Sequence, residues 1–400
     1  MAKMNLKLIR KDFPFLSRVV YLDSASVCPC PKATVQEMVR FYEQYPYNYG
    51  VGVFESSVET RKLVDAARAS VAKFIGASSA KEIVFTKNTT EAINLVAFGL
   101  SWEKGDEVIV TNVEHQSNLL PWFRLAETRG ITVKIANCDP EGIVPPYEIE
   151  RLITERTKLV TVTHVSNVFG TVQEVQKISE MVKNRNITFF VDAAQSGGRV
   201  PINIQDIECD FLSLCGRKGL LAPQGTGVLY VAEKLHNSLS PINIGSRAAN
   251  VTHPGGFSIA QAPYRYESGI INTSGFIGLG RSIKYLNAIG VENILERIRS
   301  LTKVMINEIS SIDGIETYCL SDLSHQAGII SWNIKGRDPN EVATELYSRR
   351  KIAVASGAQG SLLALSPFNI KGVVRASVQF FNTEDEVDLL AETVRKIAAK

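Results

Sequence analysis

A carboxylate and an amine stand at the ends of two apolar runs near the middle of the chain. Asp192 follows residues 187 to 191, and Lys218 lies in a glycine-bracketed loop after residues 211 to 214. Both runs have the composition of buried parallel strands, and open α/β sheets bind ligands at the carboxyl edge of such strands. This pair suits pyridoxal phosphate (PLP), because the lysine can form a Schiff base and the aspartate can keep the pyridinium nitrogen protonated.

Further polar residues follow other predicted strands. Thr89 and Thr90 open a helix, where N–H groups, hydroxyls and the helix dipole favour an anion such as a phosphate; an ordinary N-cap would use the same residues. His115 could stack on a pyridine ring or could be a half-buried, hydrogen-bonded histidine. Asn167 and Gln195 lie at further strand ends, where their amides could hold a phenolic oxygen. Together these strand-end residues indicate a PLP site.

Length, composition and charge exclude several classes of protein. The chain has 400 residues, is 45% hydrophobic and carries a net charge of +3. It can bury a large core, and its charge is too small to favour nucleic acid or membrane partners. No apolar run is long enough to span a membrane, and the basic start lacks the apolar core of a signal peptide. We therefore expect a cytoplasmic enzyme with a small-molecule substrate.

The cysteines favour reduced thiols over a disulfide scaffold. There are six of them, scattered along the chain, at a length where secreted scaffolds are uncommon. Cys28 and Cys30 form the only close pair, and they lack the further Cys or His ligands that a zinc site needs. We expect no metal.

The order of elements predicts two domains. Strands and helices alternate up to a last strand at residues 227 to 231, which could run antiparallel. This alternation is typical of a mainly parallel sheet of about seven strands covered on both faces. After residue 265 two long helices lead into further helices and strands, and one of these strands is expected at residues 352 to 355. We expect an arm over residues 1 to 20, a large PLP-binding domain over 21 to 265 and a small α+β domain over 266 to 400. Residues 46 to 54, rich in glycine and aromatics, could form a lid.

The chain also resembles a known family through an ordered set of motifs. These are YLDSAS, NTTEAINLVA, EHQSN, HVSNVFGT, VDAAQS, GRKGLLAPQGTGVLY, RYESG and VVRASVQFFNTEDEVD. They resemble fold-type I PLP enzymes of the class V aminotransferase family, in particular the cysteine desulfurase and selenocysteine lyase group. The resemblance implies a homodimer, Lys218 as the Schiff-base lysine, Asp192 on the pyridinium, His115 on the ring and Arg375 on a substrate carboxylate.

The resemblance also implies contacts to the rest of the cofactor. Asn167 and Gln195 would lie near the phenolic oxygen, and Thr89 and Thr90 near the phosphate. The family usually has Ser-Gly-His-Lys where this chain has Cys215, Gly216, Arg217 and Lys218. Arg217 could still pair with the phosphate. A further departure is Ile270-Ile271, where the family tends to place a Thr-Pro that reaches the partner subunit.

The third departure concerns the reaction. Cysteine desulfurases carry a nucleophilic cysteine in a pattern like Arg-Ser/Thr-Gly-His-His-Cys, and the matching stretch here, residues 355 to 360, reads ASGAQG. Sulfur transfer through a persulfide needs a thiolate. A C–S lyase that works by β-elimination needs no enzyme thiol and is the reading we favour. Sulfur transfer through Cys28 or Cys30, an aminotransferase or epimerase reaction, and a non-catalytic scaffold remain open.

Overall fold

A computed structural model describes residues 4–49, 52–318 and 322–399. Cys319 and two residues of the proposed lid, at positions 50 and 51, lie outside this part of the chain. The strands are β1 (Val20–Tyr21), β2 (Ile83–Thr86), β3 (Glu107–Thr111), β4 (Thr132–Ala136), β5 (Thr157–Thr163), β6 (Thr188–Asp192), β7 (Phe211–Cys215), β8 (Gly227–Val231), β9 (Ala249–His253), β10 (Gly256–Ile259), β11 (Ile315–Thr317), β12 (Ile329–Ile334), β13 (Ile352–Ala353), β14 (Ala355–Gly357) and β15 (Val373–Ser377).

The α-helices lie between and after these strands. They are α1 (Leu6–Lys11), α2 (Lys32–Gln44), α3 (Glu55–Phe74), α4 (Thr89–Gly99), α5 (Leu120–Arg129), α6 (Pro146–Glu150), α7 (Val175–Lys183), α8 (Ile204–Ile207), α9 (Thr273–Ile289), α10 (Val291–Ser310), α11 (Pro339–Arg350), α12 (Leu362–Leu365) and α13 (Glu384–Ala398). Within the described residues no helix has both the length and the apolar character that crossing a bilayer requires.

The central element is a seven-stranded sheet with the strand order β2-β8-β7-β6-β5-β3-β4. Only β8 runs antiparallel to its neighbours in this sheet, so the predicted mainly parallel α/β sheet and the antiparallel last strand are confirmed. Successive residues of its strands point to opposite faces. Phe189 and Phe190 therefore pack into different apolar clusters, one with α3, α7 and α9 and the other with α4 and α5.

A second sheet has four strands in the order β11-β12-β15-β14. The segment near the start of the chain packs against this part of the molecule. Val20 and Tyr21 pair in parallel with Ile352 and Ala353, and the ring of Phe13 lies 4.9 Å from that of Phe381. These contacts bring residues 23 to 28, which follow β1, beside β15. The domain boundaries given above stay a prediction.

Two features differ from the sequence interpretation. The strand expected at residues 352 to 355 is split into β13, which pairs with β1, and β14, which pairs with β15. A hairpin of β9 and β10 was not expected, because hydrophobic and polar residues alternate poorly along it. In the structure its residues are mostly exposed. In the proposed lid segment, Tyr49 is buried and its hydroxyl donates to Asp65 at 2.7 Å. That end of the segment is therefore tied down.

Candidate active site

The sheet has a switch point at its carboxyl edge between β3 and β5. The chain leaves β3 towards β4 on one side and leaves β5 towards β6 on the other, and such a reversal opens a crevice where ligands bind. A cavity lies here, and it contains every residue predicted for the cofactor. Its lining residues are Asn88, Thr89, Thr90, His115, Ser117, Thr163, Asn167, Asp192, Ala194, Gln195, Cys215, Arg217 and Lys218.

One end of the cavity is the N-terminus of α4. The Asn88 side chain caps the helix by accepting from the Glu91 N–H at 2.9 Å, so neither threonine is used as the cap. The Thr89 hydroxyl is buried and has no partner among the described residues, whereas the Thr90 hydroxyl donates to Ser117 Oγ at 2.9 Å. A free hydroxyl beside unpaired helix N–H groups fits a phosphate.

Asp192 and Lys218 lie at the ends of neighbouring strands, as predicted. Asp192 Oδ1 accepts from the Ala194 N–H at 2.9 Å and from the Ser213 hydroxyl at 3.4 Å. Oδ2 has no hydrogen bond within the described residues and can face a pyridinium nitrogen. Burial raises the pKa of Asp192, and the charge of Lys218 lowers it. Burial lowers the pKa of Lys218, which favours the neutral amine that imine chemistry needs.

His115 is held as a neutral imidazole. Burial, followed by the charges of Lys218, Arg375 and Arg217, lowers its pKa to about 4. Its Nδ1 accepts from the Ser117 N–H at 3.1 Å, so we assign the ring proton to Nε2. The ring can therefore lie against a planar cofactor while Nε2 donates a hydrogen bond.

The two predicted amides have different surroundings. Asn167 Nδ2 donates to the Gln359 carbonyl at 2.9 Å, and its Oδ1 accepts from the Ser361 hydroxyl at 2.8 Å. Gln195 Nε2 donates to the Ala25 carbonyl at 2.9 Å, while its Oε1 is buried without a partner among the described residues. Gln195 thus keeps an unused polar atom for a ligand, whereas Asn167 also ties the segment after β14 to the cavity.

Arg375 lies on β15 beside the cavity and is 3% exposed. Its guanidinium donates to the Asn167 carbonyl at 3.0 Å, Asp23 Oδ1 at 3.1 Å and Ser26 Oγ at 2.7 Å. Its Nε is buried and has no partner in the described part of the chain. The Nε–H of the guanidinium is therefore available to donate to a carboxylate.

Arg217 also lines the cavity, and its side chain contacts neighbouring protein atoms. It donates to the Ser26 carbonyl at 3.0 Å and approaches Cys215 Sγ at 3.9 Å. Cys215, at the end of β7, is the only cysteine among the described lining residues. The side chains of Arg217 and Cys215 are both close enough to contact a ligand in the cavity.

The loop after β14 closes over His115 with backbone rather than with a side chain. The Gln116 N–H donates to the Gly360 carbonyl at 2.6 Å. A Cβ at Gly360 would lie 2.6 Å from His115 Nε2, and φ at this residue is +67°. Gly360 is the position that matches the nucleophilic cysteine of the desulfurase pattern, so the structure leaves no room there for a thiol without movement of the histidine or the loop.

The alternative thiols lie outside the cavity. Cys28 is 2% exposed, and its Sγ contacts the Ser24 carbonyl at 3.4 Å. Burial raises the pKa of Cys28 and raises that of Cys30 to about 11, so both are poor nucleophiles at neutral pH. Neither lines the cavity.

Several residues of the site were not predicted. Asn88, Ser117, Thr163 and Ala194 line the cavity, and Ser117 could have been found, since it lies in the EHQSN motif two residues after His115. Asp23 and Ser26 lie in YLDSAS, which resembles a family segment that borders the active site. Their contacts with Arg375, more than 340 residues later, were not predicted.

The fold and the site define a class of protein. A mainly parallel sheet with a lysine, an aspartate and the N-terminus of a helix at its switch point is the arrangement of a fold-type I PLP-dependent enzyme. The free Thr89 hydroxyl, Asp192 Oδ2 and Gln195 Oε1 fit the phosphate, the pyridinium and a ring substituent respectively.

Comparisons with known proteins agree with this assignment to PLP-dependent enzymes. Residues 20–390 match the family model described as Aminotransferase class-V. A probable cysteine desulfurase of Methanothermobacter thermautotrophicus is 41% identical over 401 residues, which cover 100% of this chain and 99% of the relative. A cysteine desulfurase of Serratia proteamaculans is 34% identical, with 98% of each chain covered. The chain therefore belongs to the class-V aminotransferase family, and the predicted family, cofactor and enzymatic nature are confirmed.

Solved structures resemble the whole chain. The apo cysteine desulfurase of Thermococcus onnurineus matches with a TM-score of 0.96 and 34% identity, covering 100% of both chains. A cystine C–S lyase in complex with cysteine persulfide matches with a TM-score of 0.85 over 96% of this chain and 99% of its own. Its identity is 20%, so this likeness concerns the fold.

Proposed function

We propose that the cavity holds PLP between α4 and the ends of β6 and β7. Lys218 would be covalently linked to it, Asp192 would pair with the pyridinium, and Thr89 and Thr90 would bind the phosphate together with Cys215 and Arg217. His115 would lie on the ring, and Asn167 and Gln195 would lie near its phenolic oxygen. The cofactor, when bound, supplies an electron sink for bonds at the substrate α-carbon.

The side chains then divide the work of binding and proton transfer. Arg375 binds the substrate carboxylate through its free Nε–H. The substrate amine would displace Lys218 from the cofactor. The freed amine, with its pKa lowered by burial, would take the α-proton as a general base. His115 Nε2 carries a hydrogen, and it can donate a hydrogen bond to a leaving sulfur, which departs as an anion.

The reaction supported best is C–S bond cleavage in L-cysteine or a related sulfur amino acid by β-elimination. The α-proton and the β-sulfur leave, and water converts the remaining carbon skeleton to pyruvate and ammonia. The observation that carries this proposal is the docking of Gly360 against His115 and Gln116. With backbone at this position, the sulfur departs to solvent rather than to a loop thiol.

A second candidate is desulfuration, in which another enzyme thiol takes the sulfur and alanine is released. The names of the relatives, cysteine desulfurase, favour it. The burial of Cys28 and the position of both Cys28 and Cys30 outside the cavity count against it. Transamination or epimerisation would use the same α-proton transfer and involve no sulfur.

The products decide between these reactions. Purified enzyme is mixed with L-cysteine, L-cystine or L-alanine, and sulfide, pyruvate and alanine are measured together with the cofactor spectrum. We expect equal amounts of pyruvate and sulfide from cysteine, and pyruvate with a persulfide from cystine. Alanine with sulfide would support desulfuration instead. A spectral change without either product would support transamination or epimerisation.

We also propose a homodimer. Hairpin β9-β10 exposes Val251 at 83% and Phe257 at 61%, and an isolated two-stranded hairpin is only marginally stable in water. A second copy that covers these side chains would stabilise it. Light scattering should give twice the mass of one chain; a monomer at working concentration would contradict the proposal.

A further inference from the structure

The backbone ladder between β3 and β5 stops before the carboxyl edge of the sheet. The two strands pair only as far as Ile109 and Val160, although β5 continues to Thr163. Beyond this point they separate to form the crevice at the switch point. The last N–H groups of β5 on that side would therefore lack the partners that a ladder normally supplies.

The side chain of Glu114 fills this gap. Its Oε1 accepts from the Thr111 hydroxyl at 2.7 Å and from the Thr163 N–H at 2.7 Å. Its Oε2 accepts from Asn118 Nδ2 at 2.8 Å. The carboxyl group thus connects the end of β3, the end of β5 and the turn that leads into α5.

Glu114 lies directly beneath the catalytic cavity. It is fully buried at 0% exposure, it precedes His115 in the chain, and its partner Thr163 lines the cavity and pairs with Asp192 in the neighbouring strand. We propose that Glu114 is a positioning residue, which replaces the missing ladder between β3 and β5 and so fixes His115 and Thr163 against the cofactor. This inference rests on the proposed function of the cavity.

The ionisation of Glu114 sets the conditions of the test. Its pKa is raised to about 8, chiefly by burial and further by the charge of Asp192, while the bonds from Thr111, Asn118 and Thr163 lower it. Below this pH the neutral carboxyl group and a glutamine carry the same charge. At pH values near 7, Glu114→Gln therefore tests hydrogen bonding without a change of charge. The glutamine Oε1 can still accept from Thr111 and Thr163, whereas its amide nitrogen cannot accept from Asn118.

The chain offers a matched control at the other end of the same strands. Glu107 Oε2 also bridges β3 and β5, accepting from the Thr157 hydroxyl at 3.0 Å, but it lies at the amino edge, away from the cavity. Glu107→Gln should lower stability and leave kcat unchanged. This control shows whether a loss of activity comes from losing a bridge at the cavity or from losing any bridge between β3 and β5.

The experiment uses PLP-loaded enzyme and has two readouts, steady-state kinetics and the visible circular dichroism of the bound cofactor. Since a misplacement of about 1 Å costs about 10²-fold in rate, Glu114→Ala should lower kcat by about 10²-fold and weaken the dichroic band, with KM changed less. Glu114→Gln should give values of kcat and of the dichroic band between those of this variant and the wild type. It replaces the alanine variant in the test if that variant fails to fold.

Wild-type kcat and dichroism in Glu114→Ala, or in Glu114→Gln where only that variant folds, would overturn the inference. Equal losses of kcat and of the dichroic band in Glu114→Gln and Glu107→Gln would also overturn it. Absence of any product from the wild type would instead refute the proposed function, and in that case the dichroism alone would still decide the role of Glu114.

Discussion

At the scale of single residues, the cofactor cavity is explained by atoms that have no partner inside the chain. The Thr89 hydroxyl, Gln195 Oε1 and Arg375 Nε are all buried without a hydrogen bond in the described part of the chain. A buried polar atom without a partner costs about 1–3 kcal/mol. A ligand with a phosphate, a polar ring substituent and a carboxylate would satisfy such atoms, so binding offsets a cost that the folded chain already carries.

Arg375 gives a prediction at this scale. Arg375→Lys keeps a positive charge but loses the planar fork, and its single ammonium group cannot hold Asp23, Ser26 and a substrate carboxylate together. We expect KM for amino-acid substrates to rise by the equivalent of about 2–5 kcal/mol, with kcat changed less. Steady-state kinetics checks this. An unchanged KM would place the carboxylate elsewhere.

At the scale of elements, the site depends on where strands end and which loops meet them. The residues that follow β2, β3, β5, β6 and β7 could be placed from the sequence, because strand ends in a parallel sheet share an edge. The contact of β15 and the loop after β14 with this edge could be placed only through the family resemblance. It depends on the packing of the second sheet against the first, and no local pattern near Asp23, Ser26 or Gly360 records that packing.

Gly360 gives a prediction for the loop. Gly360→Ala combines a positive φ with a Cβ 2.6 Å from His115 Nε2, so it should lower the free energy of unfolding by roughly 1–3 kcal/mol and change the cofactor spectrum by moving His115. Gly336→Ala is the control, because Gly336 has a similar φ of +75° and an open surrounding. Thermal unfolding and absorbance are measured for both. Equal changes of stability and absorbance in the two variants would show that backbone strain alone causes them and that the contact with His115 contributes nothing.

At the scale of the whole molecule, the family fold is retained while one functional residue of its desulfurase pattern is missing. The sequence predicts the sheet, the family and the set of cofactor residues, since each depends on local patterns or ordered motifs. The bridge made by Glu114 and the hairpin β9-β10 were not predicted. A charged residue beside His115 looks like an exposed side chain until the separation of β3 from β5 is known.

The central claim is that carbon–sulfur cleavage here requires no enzyme thiol. The most direct measurement is the product ratio of a variant in which all six cysteines are replaced, with serine at Cys215 and alanine elsewhere, and whose cofactor spectrum confirms that PLP is bound. We predict that this variant converts L-cysteine to pyruvate, ammonia and sulfide in equal amounts, at a rate close to that of the wild type. Alanine and sulfide from the wild type, with both lost in the cysteine-free variant, would contradict the claim and assign the sulfur to a thiol of the chain.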